Sequence, residues 1–214
     1  MIPSGTITFL FTDIEGSSDL WEHYPDAMQR VIARHDQLLR QVIEEHGGYV
    51  VKTTGDGFHA AFATATGALR AALAGQHALY AEPWDEISVL RVRMGLHTGA
   101  AEVRAGDYFG TAVNRAARLM GTGHGGQILL STTTEALLRD APSNVLGRSM
   151  EHLFRLRDLG EHRLKDLVPP ERIFQVVSPD LPSEFPPLRT LTTRPNNLPP
   201  QSTPFVGREH AVRA

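Results

Sequence analysis

Thr6-Ile7-Thr8-Phe9-Leu10-Phe11-Thr12-Asp13-Ile14-Glu15-Gly16-Ser17-Ser18 decides how this chain is to be read. Its first half is β-branched and aromatic, the composition of a strand, and it runs straight into acidic residues followed by Gly16. The same order recurs where Tyr49-Val50-Val51-Lys52-Thr53 leads into Thr54-Gly55-Asp56-Gly57. An acidic side chain at a strand end, with glycine close by, leaves room for a bulky anionic ligand beside the backbone. Asp13 and Asp56 are therefore candidate ligands of a divalent cation such as Mg²⁺, which takes one or two protein carboxylates and completes its shell with substrate phosphates. Taken singly, an Asp-Gly pair is an ordinary turn. The case rests on both together and on what lies downstream.

Working outward, a strand is expected over Thr6 to Thr12 and one long helix over Ser18 to His46, capped by Ser17 or Ser18 and stopped by Gly47-Gly48. Trp21, Met28, Ile32, Leu38, Leu39, Val42 and Ile43 fall at helical spacing and form its expected buried stripe. Tyr49 to Thr53 and Phe58 to Phe62 read as a hairpin with Asp56 at its tip. There follow an Ala-rich helix over Thr64 to Ala81, a strand over Leu90 to His97, a turn near Thr98-Gly99, a helix over Gly110 to Met120 and a strand over Gln127 to Leu130. This order predicts an α+β fold, an antiparallel or mixed sheet covered by helices on one main face, with loops at a sheet edge for ligand.

The chain has 214 residues, 41% hydrophobic and 21% charged, which is ordinary globular composition with a core to bury. A net charge of −3 without long Lys/Arg runs favours neither nucleic acid nor an anionic membrane as partner. The absence of cysteine excludes disulfides, thiolate catalysis and Cys-based zinc sites. No basic-then-apolar leader and no membrane-spanning apolar run is present, so the expected location is cytoplasmic. The ten histidines show no HExxH pairing, and no P-loop occurs. Eight of the 14 prolines (Pro179, Pro182, Pro186, Pro187, Pro195, Pro199, Pro200 and Pro204) follow Val177, so residues 178–204 are expected to be an extended linker.

Downstream, Asp107-Tyr108-Phe109-Gly110-Thr111-Ala112-Val113-Asn114-Arg115-Ala116-Ala117-Arg118 places Gly110, Asn114 and Arg118 at i, i+4 and i+8 of a helix, one polar stripe. On an isolated helix such a stripe is simply solvent-facing. Joined with Phe11-Thr12-Asp13-Ile14 and with Lys52 to Asp56, however, this pattern (D-x-x-G-x-x-V-N-x-x-x-R after F-x-D-I and K-x-x-G-D) resembles the class III adenylyl/guanylyl cyclase catalytic domain, with its ferredoxin-like, palm-like fold, over residues 5–177. Thr203 to Glu209 is similar to the opening of a regulatory ATPase domain of the AAA or NB-ARC sort, as found after bacterial cyclase domains, so residues 205–214 are expected to begin a truncated ATPase-like unit.

The resemblance implies an adenylyl cyclase that converts ATP to 3′,5′-cyclic AMP and pyrophosphate with two Mg²⁺ or Mn²⁺ ions. It implies Asp13, Asp56 and the Ile14 carbonyl as metal ligands, backbone N–H groups at Gly16, Ser17 and Ser18 toward the phosphates, and Lys165 toward the triphosphate. Asp166 stands where many relatives have glycine. Arg118 would stabilise charge at the α-phosphate, and Asn114 would orient the ribose. Lys52 and Asp107 match the positions that read adenine and so disfavour a guanylyl cyclase. Because the family divides these groups between two subunits, a homodimer is implied, with the monomer nearly inactive and Gly99 to Asp107 as the partner-facing arm. The alternative is a catalytically weak cyclase-like module that senses nucleotide or dimerises to regulate an attached ATPase.

Overall fold

The computed structural model describes residues 2–84, 87, 89–141 and 154–191. Its elements run β1 (Thr6–Ile14), α1 (Ser17–His23), α2 (Pro25–Glu45), β2 (Tyr49–Thr53), β3 (Phe58–Phe62), α3 (Ala65–Ala81), β4 (Val92–Ala100), β5 (Glu102–Arg104), β6 (Asp107–Phe109), α4 (Thr111–Thr122), β7 (Ile128–Ser131), α5 (Thr132–Arg139), β8 (Arg155–His162) and β9 (Glu171–Val177). Seven strands form one mixed sheet in the order β2-β3-β1-β4-β7-β9-β8, and β5 and β6 form a separate two-stranded arm. Among the described strands, only β4 and β7 are parallel; the other neighbours are antiparallel. The fold is α+β, as the element order predicts.

β1 sorts its side chains strictly by parity. Leu10 and Ile14 join Phe58, Phe62, Met94 and Leu96 in a core closed by Met28, Leu39 and Ile43 of α2 and by Leu69 and Leu73 of α3. Ile7 and Phe9 point the other way and pack with Ala61, Tyr108, Ala112 and Ala116, so α4 and the arm cover the opposite face. Helices thus lie on both faces, α2 and α3 on one and α4 on the other, where the sequence suggested one main face. Burying each of Phe9, Phe58 and Phe62, all at 0–1% exposure, contributes about 2–3 kcal/mol relative to leaving it in water.

Two glycines of β4 set how closely α4 can lie. A Cβ on Gly95 would sit 2.6 Å from Met120 N, and one on Gly99 would sit 2.8 Å from Ala112 Cβ. The expected turn at Thr98-Gly99 is therefore strand: Thr98 pairs with Thr8, and Gly99 serves the helix rather than a reversal. The reversal comes at Ala105-Gly106, both left-handed (φ 50° and 82°), at the tip of the arm.

The long helix expected over Ser18 to His46 is two helices. Pro25 lacks an N–H and its ring disfavours a helical residue before it, so Tyr24 leaves the helix (φ −135°, ψ 52°) and Pro25 starts α2 at the position proline tolerates. Trp21 stays on α1 at 40% exposure, outside the buried stripe, whereas Met28, Leu39, Val42 and Ile43 are buried and Ile32 and Leu38 partly so. Neither serine caps α1; Gly16 occupies the cap in a left-handed conformation (φ 71°). Gly47 (φ 76°) ends α2 as expected. Residues 178–191 carry no helix or strand yet lie against the domain, and Leu188 is buried with Leu119, Leu129, Leu164 and Ile173. Residues 192–204 of the expected linker and 205–214 of the ATPase-like stretch lie outside the described residues.

Two buried imidazoles set the acid limit of the fold. His97 Nδ1 lies 2.7 Å from Ser131 Oγ, whereas His59, stacked on Phe11 at 4.4 Å between ring centroids, has neither ring nitrogen paired. Burial pushes both down to about 4 from the ordinary 6.5, aided by the charge of Lys52 at His59 and of Arg115 at His97. Below about pH 6.5 the unfolded chain takes up protons that the fold refuses, so stability present above that value is lost progressively toward pH 4. His59→Leu should reduce the loss of unfolding free energy between pH 7 and 5 by about 2 kcal/mol, read from urea unfolding; a slope equal to the parent's would show that His59 is not the titrating group. Gly95→Val should cost about 2–3 kcal/mol, because the collision is with backbone atoms that cannot rotate away; an unchanged unfolding midpoint would contradict the close approach.

Candidate active site

Asp13 and Asp56 are brought together by backbone contact between β1 and the β2–β3 link. Thr54 N donates to Gly57 O at 2.9 Å to close the link, and Phe58 N donates to Thr12 Oγ1 at 2.9 Å. A Cβ on Gly57 would lie 2.1 Å from Thr12 O, so only glycine lets the link press onto β1. On β4, Arg93 sits directly opposite Asp13 and donates to its Oδ2 from Nε at 2.9 Å and Nη2 at 2.6 Å. Burial raises the Asp13 carboxyl above its ordinary value; Arg93 opposes this, and the neighbouring charge of Asp56 adds to it. Asp13, paired with Arg93, and the neighbouring Asp56 bring two hard-oxygen carboxylates together, a donor type that suits Mg²⁺ or Mn²⁺. Ile14 buries its side chain in the α2/α3 core. Next to it, Gly16 turns the chain into α1, and its carbonyl accepts from Leu20 N at 3.1 Å, with Ser17 and Ser18 in the first turn.

Lys52 and Asp107 form a second group. An irregularity between Val50 and Lys52 places Lys52 opposite His59, on the α4 face of the sheet. The arm brings Asp107 over it, and Lys52 Nζ donates to Asp107 Oδ2 at 2.5 Å. Asp107 Oδ1 also accepts from Tyr108 N at 2.8 Å; the Lys52 bond foremost holds this carboxyl below the usual carboxylate range. Tyr108 anchors the arm: its ring is edge-on to Phe9 at 5.2 Å, and its hydroxyl donates to Pro3 O at 2.7 Å.

The third group lies on and beside α4. Asn114 and Arg118 are exposed on one helix face, as their spacing predicts, and Arg118 Nη2 donates to Asp166 Oδ2 at 2.8 Å. Asp166 is left-handed (φ 61°), a conformation open to glycine and tolerated by aspartate. Buried Leu164 fixes the loop on which exposed Lys165 is carried. Among the described residues, no hydrogen bond or ion pair joins the Asp13–Asp56 group to Lys52–Asp107 or to Arg118 within one chain.

Arg93 is the site residue that sequence reasoning missed. Its approach to Asp13 depends on the pairing of strands 80 residues apart, which no local pattern reveals. A cleft of about 950 Å³ shares Glu15 with the end of β1 but includes neither Asp13 nor Asp56. No helix among the described residues is long and apolar enough to cross a membrane.

Comparison with known proteins agrees with this geometry. Residues 1–166 match the family described as the adenylate and guanylate cyclase catalytic domain. An uncharacterised protein of Mycobacterium tuberculosis is 40% identical over 213 residues, which cover 98% of this chain and 70% of that one. The adenylate cyclase of Podospora anserina is 33% identical over 221 residues, covering 81% of this chain but only 10% of that much longer protein. Among solved structures, an adenylate cyclase of Trypanosoma brucei superposes with a TM-score of 0.76 at 28% identity, covering 88% of this chain and 96% of that one. The adenylate/guanylate cyclase/hydrolase of Silicibacter pomeroyi superposes with a TM-score of 0.68 at 33% identity, covering 82% and 98%. A match over most of the sequence and a superposition over most of the fold lead to one conclusion: the chain belongs to the adenylate and guanylate cyclase catalytic-domain family.

Proposed function

We propose that the protein is an adenylyl cyclase that converts ATP to 3′,5′-cyclic AMP and pyrophosphate in a homodimer. The observation that carries the choice of base is the Lys52–Asp107 pair, a donor and an acceptor held side by side at 2.5 Å. Lys52 can donate to an adenine ring nitrogen, and Asp107 can accept from the exocyclic amine. Guanine would turn a carbonyl toward Asp107, a contact that costs about 1–3 kcal/mol in discrimination.

Asp13, Asp56 and the Ile14 carbonyl would hold two Mg²⁺ or Mn²⁺ ions, which would lower the proton affinity of the ribose 3′-hydroxyl and neutralise the triphosphate. The 3′-oxygen attacks the α-phosphorus in line, so that the new P–O bond forms as the bond to pyrophosphate breaks. Asn114 orients the ribose, and Arg118 turns from Asp166 to the α-phosphate, where charge develops in the transition state. N–H groups of Gly16, Ser17 and Ser18 and the ammonium of Lys165 hold the phosphates. Among the described residues the Asp13–Asp56 group stands apart from the other two, and in the reading proposed here a symmetric pair that offers each group to its partner completes two sites at one interface.

The test is cyclic nucleotide production by purified protein with Mn²⁺ or Mg²⁺ and with ATP or GTP, beside Asp56→Ala. Cyclic AMP from the parent, reduced about 100-fold or more in the variant, is the expected result. No product from either nucleotide at high protein concentration would sink the enzyme and leave a nucleotide-sensing or dimerising module that regulates an attached ATPase. The double variant Lys52→Glu/Asp107→Asn exchanges donor for acceptor, and it should move the ATP-to-GTP preference toward GTP by about 10- to 100-fold in kcat/KM. An unaltered ratio would remove the base-reading role.

A further inference from the structure

We infer that residues 178–191 form a strap that positions the active-site turn at Asp13–Gly16, with Glu15 and Arg189 as its positioning residues. The consequence for activity rests on the cyclase reading above. Pro179, Pro182, Pro186 and Pro187 fix the backbone and remove donors, so this stretch can neither extend the sheet nor coil into a helix. It is held instead through its carbonyls and side chains. Ser183 O accepts from Gln175 Nε2 at 2.8 Å, Glu184 accepts from Arg157 at 2.7 Å, and Pro187 O lies 3.1 Å from His124 Nε2.

The last residues of the strap reach three parts of the site. Arg189 N donates to Thr122 O at 2.9 Å, at the end of the helix that carries Asn114 and Arg118. Leu188 packs on Leu164, and Leu191 N donates to Arg163 O at 3.3 Å, so both grip the loop that carries Lys165 and Asp166. Arg189 Nη2 donates to Glu15 Oε1 at 2.5 Å. Glu15 passes that hold on, because its Oε2 accepts from Gly125 N at 3.1 Å and its own N donates to Arg91 O at 2.9 Å. It is the residue between Ile14 and the left-handed Gly16, so a shift of Glu15 moves the peptides assigned to metal and phosphate.

The strap borders open space between its anchors. Leu181, Pro182, Glu184, Phe185, Pro186 and Arg189 line a cleft of about 950 Å³ together with Trp84 and Arg91, whereas Leu188 is buried and Leu181 also packs against the core. A pull on the chain after Leu191 is met first by the Leu191–Arg163 and Thr190–His162 contacts at the end of β8, and then by Arg189. A segment that reads as a passive tether is thereby coupled to the catalytic turn.

Arg189 and Glu15 are partly exposed, and an ion pair of that kind adds little to global stability, so its loss should be felt at the turn and not in the unfolding midpoint. Arg189→Ala and Glu15→Gln should speed amide exchange in a peptide covering residues 14–18 by roughly 10-fold and raise KM for Mn²⁺·ATP roughly 5-fold, with kcat within about 2-fold and the midpoint unmoved. Arg189→Lys, which keeps the charge, should recover part of both effects. Unchanged exchange and KM in Arg189→Ala would overturn the inference, as would an acceleration spread evenly over the protein together with a fall in midpoint. If the parent makes no cyclic nucleotide, the cyclase reading fails by itself, and the exchange at residues 14–18 still decides the strap.

Discussion

The two-residue period of β1 is the constraint on which the arrangement depends. Between Ile7 and Ile14, residues alternate without exception between the α2/α3 core and the α4 face. Asp13 shares its parity with Ile7, Phe9 and Phe11, so it must emerge on the face that also carries Arg93, His59 and Lys52. Register across the sheet turns this into a row: Lys52 is opposite His59, His59 opposite Phe11, and Phe11 opposite Gly95. A slip of one residue would drive Asp13 into an apolar core and lift Leu10 and Ile14 out of it, a loss that excludes the alternative. Asp13, Arg93 and Lys52 share a face because Leu10 and Ile14 are committed to the α2/α3 core on the other.

On that face, charges come paired. Asp13 has Arg93, Lys52 has Asp107 and Arg118 has Asp166, all at 2.5–2.8 Å for their shortest contacts. Each pair holds its side chains in place. Partly exposed pairs of this kind are weak enough to open readily. Asp13 is the exception in degree: burial and Asp56 leave its charge under-compensated despite Arg93, which makes it the point where added positive charge gains most.

Much of this was readable from sequence. Asp13 and Asp56 announced themselves because strand composition ran directly into Asp and Gly, and the Tyr49–Phe62 hairpin and the stop at Gly47 followed from local rules. Asn114 and Arg118 fell on one exposed helix face because spacing alone fixes that. The break at Tyr24-Pro25 was equally local, but the apolar spacing that continues through it outweighed the proline. β8 escaped notice since an edge strand with Arg155, Arg157, Asp158 and Glu161 mixes charge with Leu156 and Leu159. Its ladder is secured by pairs such as Arg172 with Asp158, visible only once β9 lies beside it. Arg93, Arg189 and the arm-anchoring bond of Tyr108 to Pro3 share that cause, since each joins segments distant in sequence.

The position of β1 in the sheet also sets an order of events as the chain forms. Its partners are Phe62 to His59 on one side and Ala100 to Val92 on the other. Loop closure over such separations is slow relative to helix formation. During synthesis, Phe9, Leu10 and Phe11 therefore emerge long before β4 exists, and α2 and α3 can form while the strand they are to cover has one neighbour or none. Asp13, near the end of this strand, acquires both its acidic neighbour and its arginine only when the sheet closes, so this charged cluster is among the last features the folding chain gains.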